Sequence, residues 1–296
     1  MAELASDRAL ASGSQDRRQP ALFAIFWGAP MLLWQLAFFL APLLLLVWMS
    51  FWQVRNFRLT PAFILHNWQA LLGAPYLYEA YRYTLTIAAA SALLAALISF
   101  PAAYALAFRA SPAVRRYALF LLITPFFTSY LVRVYAWEIF LSDRGVINYL
   151  LGLLGIAPRP LLANAFGTVI GYLTLTLPLV MLIQLFALGT VDRRLIEAAH
   201  NLGCGRLRTV FTVVVPAARV GLVLAVTFAF ILCFGDFVSP ALLGGGKPPT
   251  LSILITDQVK SGNNWPRAAV VAIIMVATLL VTLFGAMRLA YGRSER

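Results

Sequence analysis

ALFAIFWGAPMLLWQLAFFLAPLLLLVWMSFWQV, residues 21–54, runs for 34 positions without a charged side chain. The apolar core of a cleavable signal spans roughly 7–15 residues, so this run reads as a retained membrane span, preceded by twenty mostly polar residues. A helix needs about 20 residues to cross a hydrocarbon core about 30 Å thick. Within and beyond this stretch, six apolar runs meet that length: Trp27–Phe51, Thr84–Phe108, Tyr117–Phe140, Leu161–Leu188, Ala217–Ser239 and Ala268–Tyr291. They read as helices, not strands. The composition agrees: 61% of the 296 residues are hydrophobic and 11% charged, with a mean hydropathy of +0.84, against about 25% charged in a soluble domain. The fold class is therefore an all-α polytopic membrane protein. It comprises a tail over 1–26, a six-helix transmembrane domain over 27–291 and a short tail over 292–296. Pro42, Pro101, Pro125 and Pro178 lie in or beside spans, where neighbours in a bundle can satisfy the carbonyls they free. Bent helices are expected there.

The net charge of +12, from 23 Lys and Arg against 11 Asp and Glu, falls between apolar spans and so speaks of topology, not of nucleic acid. With the N-terminus inside, fourteen basic residues fall on the cytoplasmic side: Arg8, Arg17, Arg18, Arg109, Arg115, Arg116, Arg193, Arg194, Arg206, Arg208, Arg219, Arg288, Arg293 and Arg296. Eight fall outside, on longer loops. Both termini are thereby expected in the cytoplasm. Arg133 is the remaining base, about 24 Å along a straight helix from Tyr117. At that height its stem can extend to the outer interface, with a place in the pathway or in subunit packing as the alternatives. Glu138 faces either bulk water or a vestibule.

The longest cytoplasmic connection is DRRLIEAAHNLGCGRLRTVFTVVVP, residues 192–216. Leu195, Ile196, Ala199 and Leu202 share one side of a helix, which ends at Gly203 or Gly205, because glycine tolerates the left-handed geometry that reverses a chain. Leu207, Val210, Phe211 and Val214 then begin a second apolar stripe. Helix, tight turn and helix on the cytoplasmic face suit either an interfacial helix on anionic lipid or a docking element.

The spacing of Glu197-Ala198-Ala199, three residues, Gly203, and Pro216 thirteen residues later resembles the EAA loop of bacterial ABC-importer permeases. Val213-Val214-Val215-Pro216 stands where that family more often has Ile and Leu. The resemblance implies a type I importer permease whose loop, with Glu197, Ala198, Ala199, Gly203 and Pro216, docks on a separate ATPase. It also implies a second homologous permease, a dimer of ATP-binding subunits that hold ATP and Mg, an extracytoplasmic solute-binding protein, and no cofactor bound by this chain. The stretch from Phe234 to Gly245 (FGDFVSPALLGG), Asn264-Trp265-Pro266, Leu131–Trp137 (LVRVYAW) and Gly145–Asn148 (GVIN) are similar to the first permease of spermidine/putrescine importers. Importers of opines, ferric iron and other small solutes share much of this pattern.

A cation crossing a low-dielectric pore is helped by carboxylates and aromatic faces. Asp236 is the leading candidate for the pathway, with a capping or solvated carboxylate as its alternative. Glu138, Tyr130, Trp137 and Trp265 complete the candidate set; packing or anchoring at the interface suits the aromatics equally well.

Competing classes fare poorly. His66 and His200 are the only histidines; no metal-ligand spacing or catalytic set accompanies them, and Cys204 and Cys233 form no CxxC pair. No GxxxxGK[ST] is present, so ATP-driven work needs another subunit. An ion-coupled carrier acting alone is expected to carry internal repeats and midplane charges, and neither is evident.

Overall fold

The computed structural model describes residues 18–56 and 58–292. The tail before residue 18 and the residues after 292, with Arg8, Arg17, Arg293 and Arg296 of the charge asymmetry, lie outside the described residues. The first span is one continuous rod: α1 (Arg18–Gln35), a π turn over Leu36–Leu40, and α2 (Ala41–Met49). The π turn directly precedes Pro42, whose missing N–H cannot join the regular ladder. An unanticipated hairpin follows, β1 (Gln53–Arg55) paired antiparallel with β2 (Arg58–Thr60). Asn67, on α3 (His66–Leu72), pins the chain before it through bonds to the carbonyls of Ser50 and Trp52.

The second span, α4 (Pro75–Phe108), starts nine residues before the expected Thr84. Glu79 and Arg82 kept those turns out of a charge-free run, although a helix end beyond the hydrocarbon carries charge readily. Pro101 sits within this unbroken helix. The third span differs most from expectation. The bend expected at Pro125 is present and is sharp enough to end the helix: α5 (Pro112–Ile123) tightens into a 3₁₀ turn over Thr124–Phe127, and the chain leaves at 93° into α6 (Tyr130–Leu141) and α7 (Val146–Leu153), in place of a single helix over Tyr117–Phe140. Pro125 initiates the tight turn, and Thr128 and Ser129 are extended.

The fourth span, α8 (Ala165–Gly189), runs unbroken through Pro178. The 192–216 segment forms α9 (Arg193–Asn201), α10 (Arg206–Thr209), a π turn over Val210–Val214 and α11 (Val215–Ala217). It meets α12 (Arg219–Gly235) at 79°. The fifth span thus ends at Gly235 and not at Ser239, because Asp236 is extended. Outside it lie α13 (Val238–Leu242) and α14 (Leu251–Lys260), and α15 (Trp265–Tyr291) is the last span. Four helices are long and apolar enough to cross a membrane alone, and six spans result when each bent pair is taken as one.

The core lies where α4, α8 and α12 meet. On α4 the buried positions Thr84, Ala88, Ser91, Ala92, Ala95, Ser99, Ala103 and Ala107 recur every three or four residues. Small side chains at that period let helix backbones approach closely where lipid offers no hydrophobic drive to associate. Polar side chains join the same face to its neighbours. Ser99 Oγ donates to Gln184 Oε1 at 2.9 Å and Gln184 Nε2 to the Ala96 carbonyl at 3.0 Å. Thr84 Oγ1 accepts from the Leu251 amide at 2.9 Å. By contrast, nothing in the Phe26–Met49 rod is buried within this chain.

Candidate functional site

In the 192–216 segment, Asp192 caps α9 by accepting from the Arg194 amide at 2.9 Å. At the other end Gly203 adopts φ +78°, the Cys204 amide donates to the Ala199 carbonyl at 2.9 Å, and the Gly203 amide donates to that of His200 at 2.9 Å. This pair of crossed bonds is a Schellman closure around a left-handed residue; it places the helix end at Gly203 and not at Gly205. Ala199 is buried against the chain's own return, while Glu197 and Ala198 are exposed. Leu195, assigned to the apolar side, is 50% exposed, and Leu202, just past the end of the helix, is 88% exposed. Of the second stripe, Val214 is buried and Val210 half-buried, whereas Leu207 and Phe211 face outward. The segment therefore seats itself through Val191, Ile196 and Val214 on the ends of α4 and α8 and turns a row of large apolar side chains away from the bundle. Arg193, read in the sequence only as a topology charge, ties it to the second span by donating to the Ala107 carbonyl at 3.3 Å, where a helix C-terminus favours positive charge. Pro216 is exposed in the last short helix before the 79° bend.

At the opposite end of the bundle, the 93° bend before α6 and the turn after α12 bring a polar cluster together. Tyr130 opens α6 and donates to Asp236 Oδ2 at 2.7 Å; its hydroxyl also meets Ser239 Oγ. Asp236 caps α13, accepting from the amides of Val238 and Ser239, both at 3.0 Å. The carboxylate is thus fixed by three donors. This turn can lie against α8 because α8 presents glycine there: a Cβ on Gly171 would sit 2.5 Å from Ser239 Oγ, and one on Gly167 would collide with the Leu243 carbonyl. Gly167 and Gly171 form a GxxxG pair, a sequence signal of close backbone approach that would have pointed to this contact. Ser239 carried no such signal.

Of the other candidates, Trp137 packs two turns along α6 with Val134, Leu141 and Leu243, and its ring lies 6.1 Å from that of Phe140. Glu138 is half-buried. Trp265 is not brought to this cluster. It is 46% exposed and borders a groove with Pro42, Leu45 and Met49 of the first span. Arg133 departs from its expected posture, since the straight helix behind that expectation is broken at Pro125. Its guanidinium turns back onto α8, where Nη1 donates to the Thr174 carbonyl at 3.2 Å.

Residues 95–294 match the family described as binding-protein-dependent transport system inner membrane component. The chain is 30% identical, over 79% of its length and 83% of the relative's, to the spermidine/putrescine transport system permease protein PotB of Escherichia coli K12. It is 29% identical to the Haemophilus influenzae protein of the same name over 85% of this chain and 88% of that one. The inner membrane ABC transporter permease protein YdcU of Escherichia coli K12 is 30% identical over 89% and 87%. In fold, the chain is similar to a crystal structure of a bacterial ABC transporter involved in the import of the acidic polysaccharide alginate, with a TM-score of 0.76, 18% identity, and coverage of 96% of this chain and 100% of that one. The chain belongs to the binding-protein-dependent transport system inner membrane components, and is an inner-membrane permease subunit of an ABC importer.

Proposed function

We propose that this permease conducts a linear polyamine such as spermidine or putrescine, working beside a second, similar permease and driven by a separate pair of ATP-binding subunits. The similarity to spermidine/putrescine permeases along most of both chains carries the substrate reading. The Asp192–Pro216 segment carries the coupling reading: it is closed at both ends, seated on two spans, and outward-facing through Leu195, Leu202, Leu207 and Phe211. In this reading ATP and Mg reside in the partner subunits, and an extracytoplasmic binding protein delivers the solute. ATP binding closes the partner dimer, α9 moves with it, and the spans turn between inward- and outward-facing states. Only contacts that differ between those states can drive the change. Both termini lie in the cytoplasm. Cysteines placed at Ser12 and Ser294 therefore stay unlabelled when intact cells meet an impermeant thiol reagent, and labelling of either reverses the orientation.

The test of substrate and pathway together is Asp236→Asn, measured by uptake at saturating binding protein in the full assembly. Lost attraction scales with ligand charge, so trivalent spermidine slows more than divalent putrescine. Equal uptake of both amines by variant and parent removes Asp236 from the pathway. Uptake confined to a neutral or anionic solute defeats the polyamine reading itself.

A further inference from the structure

Pro178 sits mid-helix in α8 and has no amide hydrogen, so the carbonyl four residues earlier, at Thr174, lacks its helical donor. Inside a membrane bundle a carbonyl left in that state is costly and needs a donor from elsewhere. Arg133 supplies one from 41 positions away, with Nη1 at 3.2 Å. The same guanidinium stands 5.9 Å from the centroid of the Tyr130 ring, within cation–π range, and Tyr130 is bonded to Asp236. The first turn of α6 thus holds two elements at once: α8 through Arg133 and the turn after the fifth span through Tyr130. The two residues are three apart, which places them on one face of the helix.

We propose that Arg133 is a positioning residue that closes the proline notch of α8 and so latches α6, with the Tyr130–Asp236 cluster, onto the fourth span. A charged donor makes a hydrogen bond roughly twice as strong as a neutral one, which suits a latch that must hold in a low-dielectric setting. The competing role for this arginine is that of a charge lining the apolar groove of about 540 Å³ beside it, bordered by Thr124, Thr128, Leu173 and Pro178. There it would act on the solute directly. The two roles respond differently to one change: Pro178→Ala restores a backbone donor to the Thr174 carbonyl and so takes away the acceptor that Arg133 latches onto, but leaves the charge in the groove untouched.

The experiment compares the parent, Arg133→Met, Arg133→Lys, Pro178→Ala and the Arg133→Met/Pro178→Ala double variant in the complete transporter. Spermidine uptake is normalised to assembled complex and measured across binding-protein concentration. Arg133→Met lowers the maximal rate about tenfold, the scale of a lost charged hydrogen bond, without moving the half-saturating concentration. Arg133→Lys keeps part of the rate. The double variant stays within about threefold of Pro178→Ala alone, since the two sites are coupled and Arg133 has no free acceptor left to lose. Unchanged uptake in Arg133→Met, or an Arg133→Met loss as large in the Pro178→Ala background as in the parent, overturns the latch; in that second case, with lysine keeping the rate, the arginine belongs to the groove instead. The uptake readout rests on the polyamine reading. Should the parent fail to take up spermidine, that reading fails by itself, and the same variants report the latch through the thermal midpoint of the purified complex. There Arg133→Met costs less in the Pro178→Ala background than in the parent, and an equal cost in both overturns it.

Discussion

Residues 192–216 close most of their hydrogen bonds within their own length, with Arg193 reaching out to the Ala107 carbonyl, whereas Tyr130, Asp236 and Ser239 meet across 106 and 109 positions of sequence. The 192–216 segment takes its shape from a capping aspartate, a nine-residue helix and one left-handed glycine. The Tyr130–Asp236 cluster takes its shape from the bend before α6, the turn after α12 and a glycine pair on α8. A locally closed segment can move as a body when a partner pulls on it, because few of its own bonds need to change. A cluster shared among three spans is altered by any relative movement of those spans. The first arrangement suits a connector and the second a sensor of span position.

The strongest way to break this comparison is Gly203→Val. An L-residue with φ +78° is strained, by about 1–2 kcal/mol for ordinary side chains and more for a β-branched one. A Cβ there meets nothing within 4 Å, so the effect is conformational and not a clash. Transport is expected to be abolished while the protein still inserts in the membrane. Gly205 has φ −65° and equally open surroundings, so Gly205→Ala leaves uptake near parental. If Gly203→Val retains uptake and coupled ATP hydrolysis, the closed segment is not the connector.

The same contrast explains what could be read from the chain beforehand. The cap at Asp192, the turn at Gly203 and the amphipathic stretch between them depend on neighbours a few residues apart, and sequence spacing carries all of that. The six spans were legible too, since length without charge is the property the bilayer demands. A bend at Pro125 was legible but its sharpness was not, because a proline in a membrane helix can sit in an unbroken rod, as Pro101 and Pro178 do, or mark a sharp turn. Which outcome holds depends on the donors the surrounding helices offer. Trp265 and Asp236 read as one candidate set, yet they stand apart, since chain order says nothing about which side of a bundle a residue faces. The GxxxG pair at 167–171 and the small-residue stripe on α4 were visible signals of close packing, though neither names the backbone that approaches.

A smaller effect sharpens the outer half of the comparison. Gly171→Ala places a methyl carbon 2.5 Å from Ser239 Oγ and 2.6 Å from its Cβ, forcing the 236–242 turn off α8. Overpacking of this kind costs about 1–3 kcal/mol, which lowers the thermal midpoint of the complex by several degrees and weakens uptake without abolishing it. Gly152→Ala, with nothing within 4 Å of the added carbon, is the matched control. Identical midpoints for the two variants would mean that the turn does not rest on α8.

The smallest effect falls on the two capping aspartates, Asp192 and Asp236. Each accepts backbone amides at the start of a short helix, but Asp192 is exposed with one capping bond, whereas Asp236 also holds Tyr130. Asp192→Ala removes a cap worth about 1 kcal/mol, so α9 frays at its first turn and uptake falls a few-fold. Asp192→Asn keeps an acceptor for the Arg194 amide and stays near parental. The asparagine swap is therefore silent at the locally closed end and selective between amines at the shared one. An Asp192→Asn defect as large as that of Asp192→Ala would show that its charge, and not its cap, serves the connector. The exposed carboxylate would then belong to the surface that meets the ATP-binding partner, alongside Glu197.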